Sequence, residues 1–259
     1  MLMNVMARIC EVFRSSRRSP LPVPSDAELR RAGIGSGDFL TVGNEFVHYL
    51  KQLLEVGPHD AVLEAGCGIG RIAVPLTTWL EPPGSYRGFD VVQSSVSWCQ
   101  RNISNKYSHF QFRHVDVANS LYNPTGTLRG EHFRFPFEDS VFDVGIAVSL
   151  FTHLRPTVAG AYLTEMHRVL KPQGRLLSTW FMLPIERRDC AVDMFRVDCD
   201  SYRVAASDNP DAVVSFTESA ILEMHERAGL VITKSIRGHW ARGVHAPPYQ
   251  DMLIATAIG

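Results

Sequence analysis

Strand-like and helix-like segments alternate between residues 60 and 181 of this chain. The strand-like segments are short and rich in apolar and β-branched residues, and stretches of helical spacing such as 94–104 and 159–170 separate them. They lie at residues 61–64, 86–89, 110–114, 142–148 and 174–181. This alternation predicts an α/β fold in which crossover helices join parallel strands.

The end of the sequence departs from this alternation. A helical segment at 218–228 is followed by two strand-like segments, 230–236 and 252–256. The link between these two segments, 237–250, has no helical pattern. Because parallel neighbours need a crossover connection, we expect the last two strands to be antiparallel neighbours.

The chain divides into two predicted parts. Residues 1–57 form an N-terminal helical extension and lid, with a proline-rich linker at 20–24 and helices near 26–31 and 42–54. Residues 58–259 form the main domain, which carries an insertion at about 183–214 without clear periodicity. We expect this insertion to cover the carboxyl edge of the sheet, on the substrate side.

Composition excludes some functions. The 259 residues carry a formal net charge of -1, so no basic field attracts a nucleic acid. No apolar stretch is long enough to span a bilayer, although the apolar segment 1–13 is compatible with peripheral membrane contact. The five cysteines are scattered, which favours reduced thiols and a cytoplasmic protein. No sequence feature specifies an oligomeric state.

A glycine-rich segment follows the first predicted strand. Gly66, Gly68 and Gly70 have the spacing G-x-G-x-G, where a strand gives way to a helix. Glycines there allow a sharp turn and a close approach of a ligand to the backbone. The spacing differs from the G-x-G-x-x-G of dinucleotide-binding loops, and the bulky Arg71 follows directly. The loop therefore argues against a nucleotide-dependent oxidoreductase, the less favoured alternative.

Acidic residues follow the next two predicted strands. Asp90 ends the second strand, where a carboxylate can accept both ribose hydroxyls of an adenosine. Asp116 follows the third strand beside Val117, a pair that suits the amino group and the face of adenine. Because the ends of parallel strands share one edge of the sheet, these groups and the glycine loop predict an adenosine-binding site.

These motifs resemble those of the class I S-adenosylmethionine (SAM)-dependent methyltransferases. The resemblance also rests on residues 88–90, 142–144 and the Leu-Lys-Pro-x-Gly turn at 170–174. It implies a Rossmann-like, seven-stranded, mostly parallel sheet with an antiparallel last strand, helices on both faces, and SAM as cofactor. The cofactor-binding candidates that it implies are Glu64, Gly66, Cys67, Gly68, Gly70, Asp90, Val91, Asp116, Val117 and Ser149.

The reacting methyl group of such an enzyme is expected near residues 149–154, after the fourth strand. His153 is the candidate general base because the unperturbed pKa of histidine lies near neutrality. A structural role for His153, as a helix cap or a cofactor contact, is the alternative. The Tyr122–Gly126 segment contains Asn-Pro but follows the third strand, so we interpret it as a turn.

The acceptor is expected to be a small molecule or a carbohydrate-like (glycan) compound that is methylated at a hydroxyl oxygen. Carboxylates of the insertion are of the type that binds Mg²⁺, but no motif supports a metal site. Between the last two strands, the acceptor pocket could include His239, Trp240 and His245. A non-catalytic SAM-binding partner module is the alternative function.

Overall fold

The computed structural model describes residues 21–33, 38–183, 195, 197–205, 209, 211–242 and 246–259. The strands of its main sheet are β1 (Ala61–Ala65), β2 (Ser85–Asp90), β3 (Phe110–His114), β4 (Phe142–Ala147), β5 (Leu170–Trp180), β9 (Leu230–Ile236) and β10 (Asp251–Ala257). These seven strands lie in the order β3-β2-β1-β4-β5-β10-β9.

The pairing of the strands matches the predicted topology. β1, β2, β3, β4 and β5 pair in parallel, whereas β10 runs antiparallel to both β5 and β9. The predictions of an α/β fold, a mostly parallel seven-stranded sheet and an antiparallel final strand are confirmed. The strand order places the carboxyl ends of β1, β2 and β4 side by side, which is where open α/β sheets bind ligands.

Helices cover both faces of this sheet. They are α1 (Asp26–Arg31), α2 (Phe39–Leu53), α3 (Ala73–Leu76), α4 (Gln93–Cys99), α5 (Pro156–Val169) and α6 (Glu218–Arg227). Because side chains alternate along a strand, Val62 packs with residues of α2, α3 and α4, and Leu63 packs with residues of α5 and α6. The sheet thus lies between two apolar layers.

The helix after the glycine loop is much shorter than predicted. The spacing predicts a helix over residues 71–80, but α3 contains four residues and ends in turns. The hydroxyl of Thr77 donates to the carbonyl of Val74 at 2.6 Å, and that of Thr78 donates to the carbonyl of Pro75 at 2.8 Å. Such bonds compete with the regular helical pattern, which explains the early end.

The insertion contains a small sheet that its sequence does not reveal. β6 (Val197–Cys199), β7 (Tyr202–Val204) and β8 (Val214–Phe216) pair antiparallel. Main-chain bonds connect this sheet to the end of β5, since the N–H of Phe216 donates to the carbonyl of Phe181 at 2.9 Å. Strands of three residues are too short to show a two-residue period of apolar side chains, so the sequence does not predict this small sheet.

The N-terminal extension packs against the main domain over its described part. α1 begins with a capping box formed by Ser25 and Glu28. α2 buries Phe39, Val47 and Leu50 in the layer that also contains Ile72 of the glycine-loop region. The predicted boundary at residue 57 stays a prediction, and residues 1–20 lie outside the described part. In the described residues, no helix has both the length and the apolar character required to cross a membrane.

His225 of α6 links the stability of this fold to pH. Its side chain is 1% exposed, its Nδ1 lies 2.8 Å from the carbonyl of Ile221, and its buried Nε2 has no hydrogen-bond partner in the described residues. Burial lowers the pKa of this imidazole to about 4. Between about pH 6.5 and pH 4, the unfolded chain therefore binds a proton at His225 that the folded chain does not bind.

We expect the free energy of unfolding to fall by about 2–3 kcal/mol between pH 7.5 and pH 4.5 through His225 alone. The stabilisation is complete above the unfolded pKa and is lost as the pH falls. Urea unfolding of the wild type and of His225→Phe at both pH values measures this difference, because phenylalanine binds no proton. An equal loss of stability in both proteins would contradict the assignment.

Candidate functional site

The glycine loop leaves β1 and bends back against β2. The N–H groups of Gly66 and Cys67 both donate to the carbonyl of Phe89, at 2.9 and 3.0 Å. Gly68 has φ +52°, and a Cβ placed on it would have no atom within 4 Å. The backbone at Gly68 is therefore open to a ligand and has the left-handed conformation that favours glycine.

Gly70 has a different role, although it belongs to the same motif. Its φ is +80°, and a Cβ there would lie 2.9 Å from Cδ1 of Ile103 and 3.0 Å from Sγ of Cys99. A side chain would push away the helical segment that begins with α4. Gly70 thus allows the loop to pack against this segment.

Asp90 connects the glycine loop to the end of β2. Its Oδ2 accepts from the N–H of Gly68 at 2.7 Å, and its Oδ1 accepts from the N–H of Val92 at 2.8 Å. Burial raises the pKa of this carboxyl above its usual value, although both backbone bonds favour the charged form. A carboxylate has about four acceptor positions, so two remain for a ligand.

Glu64 lies beneath the loop, at the end of β1. It is 3% exposed and accepts a short hydrogen bond from the hydroxyl of Tyr86. Burial, and to a smaller extent the charge of Asp90, raise the pKa of Glu64 to about 8 against the opposing effect of the Tyr86 hydrogen bond. In the absence of a cation, Glu64 is therefore largely protonated at neutral pH.

Asp116 is engaged with its own loop. Its Oδ2 accepts from the hydroxyl of Thr127 at 2.7 Å, and its Oδ1 accepts from Nδ2 of Asn123 at 3.1 Å. These hydrogen bonds, with that of Thr127 the strongest, hold the pKa of Asp116 below its usual value. The carboxylate thereby stabilises the turn at residues 123–127, and the interpretation of this segment as a turn is confirmed.

His153 lies in a short 3₁₀ helix after β4, in a buried setting. Its Nδ1 is 3.3 Å from the carbonyl oxygen of Asp211, and its Nε2 is 3.4 Å from the hydroxyl of Tyr122. Because a carbonyl only accepts, Nδ1 carries the hydrogen, and the lone pair of Nε2 faces the hydroxyl of Tyr122 as an acceptor. Burial lowers the pKa of His153, so the imidazole is neutral at pH 7.

Ser149 marks the carboxyl end of β4 with an uncommon backbone conformation. Its φ is +53°, which is rare for a residue with a side chain. The N–H of Ser149 donates to Oγ1 of Thr179 at 2.7 Å, and its hydroxyl bonds Oε1 of Gln250 at 3.0 Å. Strained residues of this kind occur often at functional sites.

Most of these groups surround one cavity of about 690 Å³. Its floor is the glycine loop with Asp90, and one wall is the 3₁₀ helix with His153. The N-terminal extension contributes Phe46, and the insertion contributes Val213. The size is typical of sites for cofactors and small molecules.

Comparison with known proteins identifies the domain that contains this cavity. Residues 62–174 match the family described as a methyltransferase domain. The sterol 24-C-methyltransferase of Schizosaccharomyces pombe is 30% identical over 127 residues, which are 49% of this chain and 29% of that protein. The phthiotriol/phenolphthiotriol dimycocerosates methyltransferase 1 of Mycobacterium ulcerans is 35% identical over 118 residues, 46% of this chain and 36% of that protein. Residues 62–174 of this chain therefore form a methyltransferase domain.

Solved structures agree with this methyltransferase domain in fold. Magnesium protoporphyrin IX methyltransferase from Synechocystis PCC 6803, with bound SAM, has a TM-score of 0.52 at 15% identity, with 90% of each chain covered. The 4+2 cyclase SpnF has a TM-score of 0.57 at 16% identity, with 93% of this chain and 100% of that chain covered. The chain spans only 29% and 36% of the two methyltransferases that it matches in sequence, so its own reaction has to be argued from the site.

The cavity of the methyltransferase domain brings together most of the predicted site residues. The predicted catalytic residue, His153, lies in its wall. Gly70 and Asp116 lie outside the lining, for the packing and turn-forming reasons given above. The predicted cofactor contacts that do line it are Glu64, Gly66, Cys67, Gly68, Asp90, Val91, Val117 and Ser149.

Other candidates lie away from the cavity or outside the described residues. Trp240 is buried and donates from Nε1 to Oδ2 of Asp251 at 2.6 Å, so it serves packing. His239 bonds the carbonyl of Pro248, and His245 lies outside the described residues. Within the described ranges, no three His, Cys, Asp or Glu residues are arranged to hold a metal ion.

Two cavity residues that the sequence did not single out as ligands are Arg71 and Tyr122.

Proposed function

We propose that this protein transfers the methyl group of SAM to a hydroxyl oxygen of a small-molecule acceptor. One observation carries the proposal: the carboxylate of Asp90 holds the open glycine loop at Gly68 and keeps two acceptor positions at the floor of a large cavity. This arrangement suits the ribose of an adenosine with its methionine chain over the loop. The methyltransferase domain supplies the class of cofactor.

The residues at the strand ends fit the parts of SAM. The free acceptor positions of Asp90 suit the two ribose hydroxyls, and Val91 and Val117 offer apolar contacts to adenine. Glu64 lies under the loop, where the α-ammonium group of the methionine end would favour loss of its proton. SAM supplies an electrophilic methyl group, which leaves the protein to position the acceptor and remove a proton.

His153 is suited to remove that proton. During the transfer a C–O bond forms, the C–S bond breaks with its electron pair going to sulfur, and the hydroxyl proton moves to Nε2 of His153. The carbonyl of Asp211 holds the tautomer that leaves Nε2 unprotonated, and the lowered pKa keeps the imidazole neutral. Tyr122 contacts the same nitrogen and is placed to guide the acceptor hydroxyl.

The walls of the cavity favour an acceptor with an apolar body. Phe46 from α2, Phe181 from the end of β5 and Val213 from the insertion line it. The relatives named above act on a sterol and on dimycocerosates, according to their names. We therefore favour an apolar small molecule with a hydroxyl group over a glycan. In this proposal, the N-terminal extension and the insertion form the acceptor side of the site.

Titration calorimetry tests the cofactor, and an assay with labelled methyl groups tests the reaction. We expect SAM and S-adenosylhomocysteine to bind at micromolar concentrations and NAD not to bind. Incubation with labelled SAM and solvent-fractionated cell extract should then label a product in the apolar fraction. Absence of SAM binding would contradict the proposal, binding without any product would favour a non-catalytic module, and a labelled glycan would contradict the apolar acceptor.

A further inference from the structure

Arg71 directly follows the glycine loop and enters the cavity from a firmly held backbone. Helix α2 packs against it so closely that a Cβ on Gly43 would lie 2.2 Å from the carbonyl oxygen of Arg71. The side chain lines the cavity together with Phe46 and Ile72. The backbone of Arg71 is thus held tightly against α2.

The guanidinium of Arg71 has a buried donor without an acceptor. Its Nε is shielded from solvent and has no hydrogen-bond partner in the described part of the chain. Burial lowers the pKa of Arg71, and no carboxylate of the described residues opposes that effect. A buried, unpaired N–H of a charged group is unfavourable, so a ligand that brings an acceptor to it gains affinity.

The other charged side chains around the cavity already have partners. Arg129 pairs with Glu131, and Arg155 pairs with Asp211 at 3.1 Å. Asp90 accepts two backbone N–H groups, as described above. Of the three described arginines that line the cavity, Arg71 is the one without a carboxylate partner.

We infer that Arg71 binds the methionine carboxylate of SAM and makes the site selective for a carboxylated cofactor. This inference rests on the proposed function, since it takes SAM as the ligand. The carboxylate is the anionic group of SAM, and a methionine chain over the loop extends toward the residue after Gly70. Guanidinium groups bind carboxylates through two parallel N–H donors, which would also satisfy the buried Nε.

Calorimetry with SAM and decarboxylated SAM tests this role without any acceptor. We expect the wild type to bind SAM about 10- to 100-fold more tightly than decarboxylated SAM. Arg71→Met should lower the affinity for SAM by a similar factor and change the affinity for decarboxylated SAM by less than about threefold. Retained binding of decarboxylated SAM also shows that the variant is folded.

Arg129→Met is the matched control because it removes a cavity-lining arginine that is already paired with a carboxylate. The affinity of this variant for SAM should stay within about threefold of that of the wild type. Arg71→Lys keeps the charge but loses the planar donor pair, so its affinity for SAM should be intermediate. Unchanged SAM affinity in Arg71→Met would overturn the inference. Failure of the wild type to bind SAM would instead contradict the proposed function.

Discussion

Asp90→Asn is expected to lower the affinity for SAM by about 100-fold. The asparagine amide would place a donor against the N–H of Gly68 or of Val92, both of which now donate to Asp90. The variant also loses the negative charge that suits two ribose hydroxyls. Two charge-assisted hydrogen bonds of about 1.5 kcal/mol each account for a change of this size.

Calorimetry with SAM measures this loss of affinity, and S-adenosylhomocysteine, which contains the same ribose, should show the same loss. Asp116→Asn is the matched control. Both carboxylates follow strands of the same sheet, but Asp116 bonds Thr127 and Asn123 and lies outside the cavity lining. We expect the control to lose some thermal stability and to bind within about threefold of the wild type. Equal losses of affinity in the two variants would assign the adenosine contact to both strand ends.

His153→Ala is expected to lower kcat by about 100- to 10,000-fold while the affinity for SAM stays within about threefold. The imidazole provides the proton acceptor for the acceptor's hydroxyl, and Nε2 is its unprotonated nitrogen. The acceptor found with labelled SAM serves as substrate. Near-normal turnover with intact SAM affinity would remove His153 as the base and leave it a structural role.

The pH profile separates these two roles. A base acts in its deprotonated form, so the rate should fall as the pH drops through the pKa of His153, which burial holds below the usual histidine value of 6.5. The wild type should therefore already be at its plateau at pH 7. Tyr122→Phe removes the hydroxyl near Nε2 and keeps the ring, so it should retain this profile with a higher KM for the acceptor.

The sequence predicted the features that depend on local pattern. The strand positions follow from the spacing of apolar residues, and the turn at the glycine loop follows from its glycines. The antiparallel orientation of β10 follows from the absence of a helical crossover before it. The eight cavity-lining cofactor candidates were found because the motif places them at strand ends, which share one edge of the sheet. The assignment of each residue to a part of SAM stays a prediction.

The features that the sequence did not predict depend on distant contacts. Gly68 and Gly70 are equivalent in the motif, and only the neighbouring Cys99 and Ile103 give Gly70 a packing role. Asp116 and Asp90 are likewise both acids after strands, and the difference arises from a hydroxyl eleven residues further on, at Thr127. The motif shows only that a bulky Arg71 follows the glycines, whereas in the fold its buried Nε has no hydrogen-bond partner among the described residues.

The position of β10 has a consequence for synthesis of the protein. Residues 251–257 are the last strand of the sheet to emerge from the ribosome, yet they lie between β5 and β9 rather than at an edge. Until they emerge, β5 has an unpaired border and β9 has no partner to join it to the sheet. A partly synthesised chain therefore exposes unpaired strand edges, which can form hydrogen bonds with strands of other chains. Chaperone binding should matter most in this interval, before the final strand closes the gap.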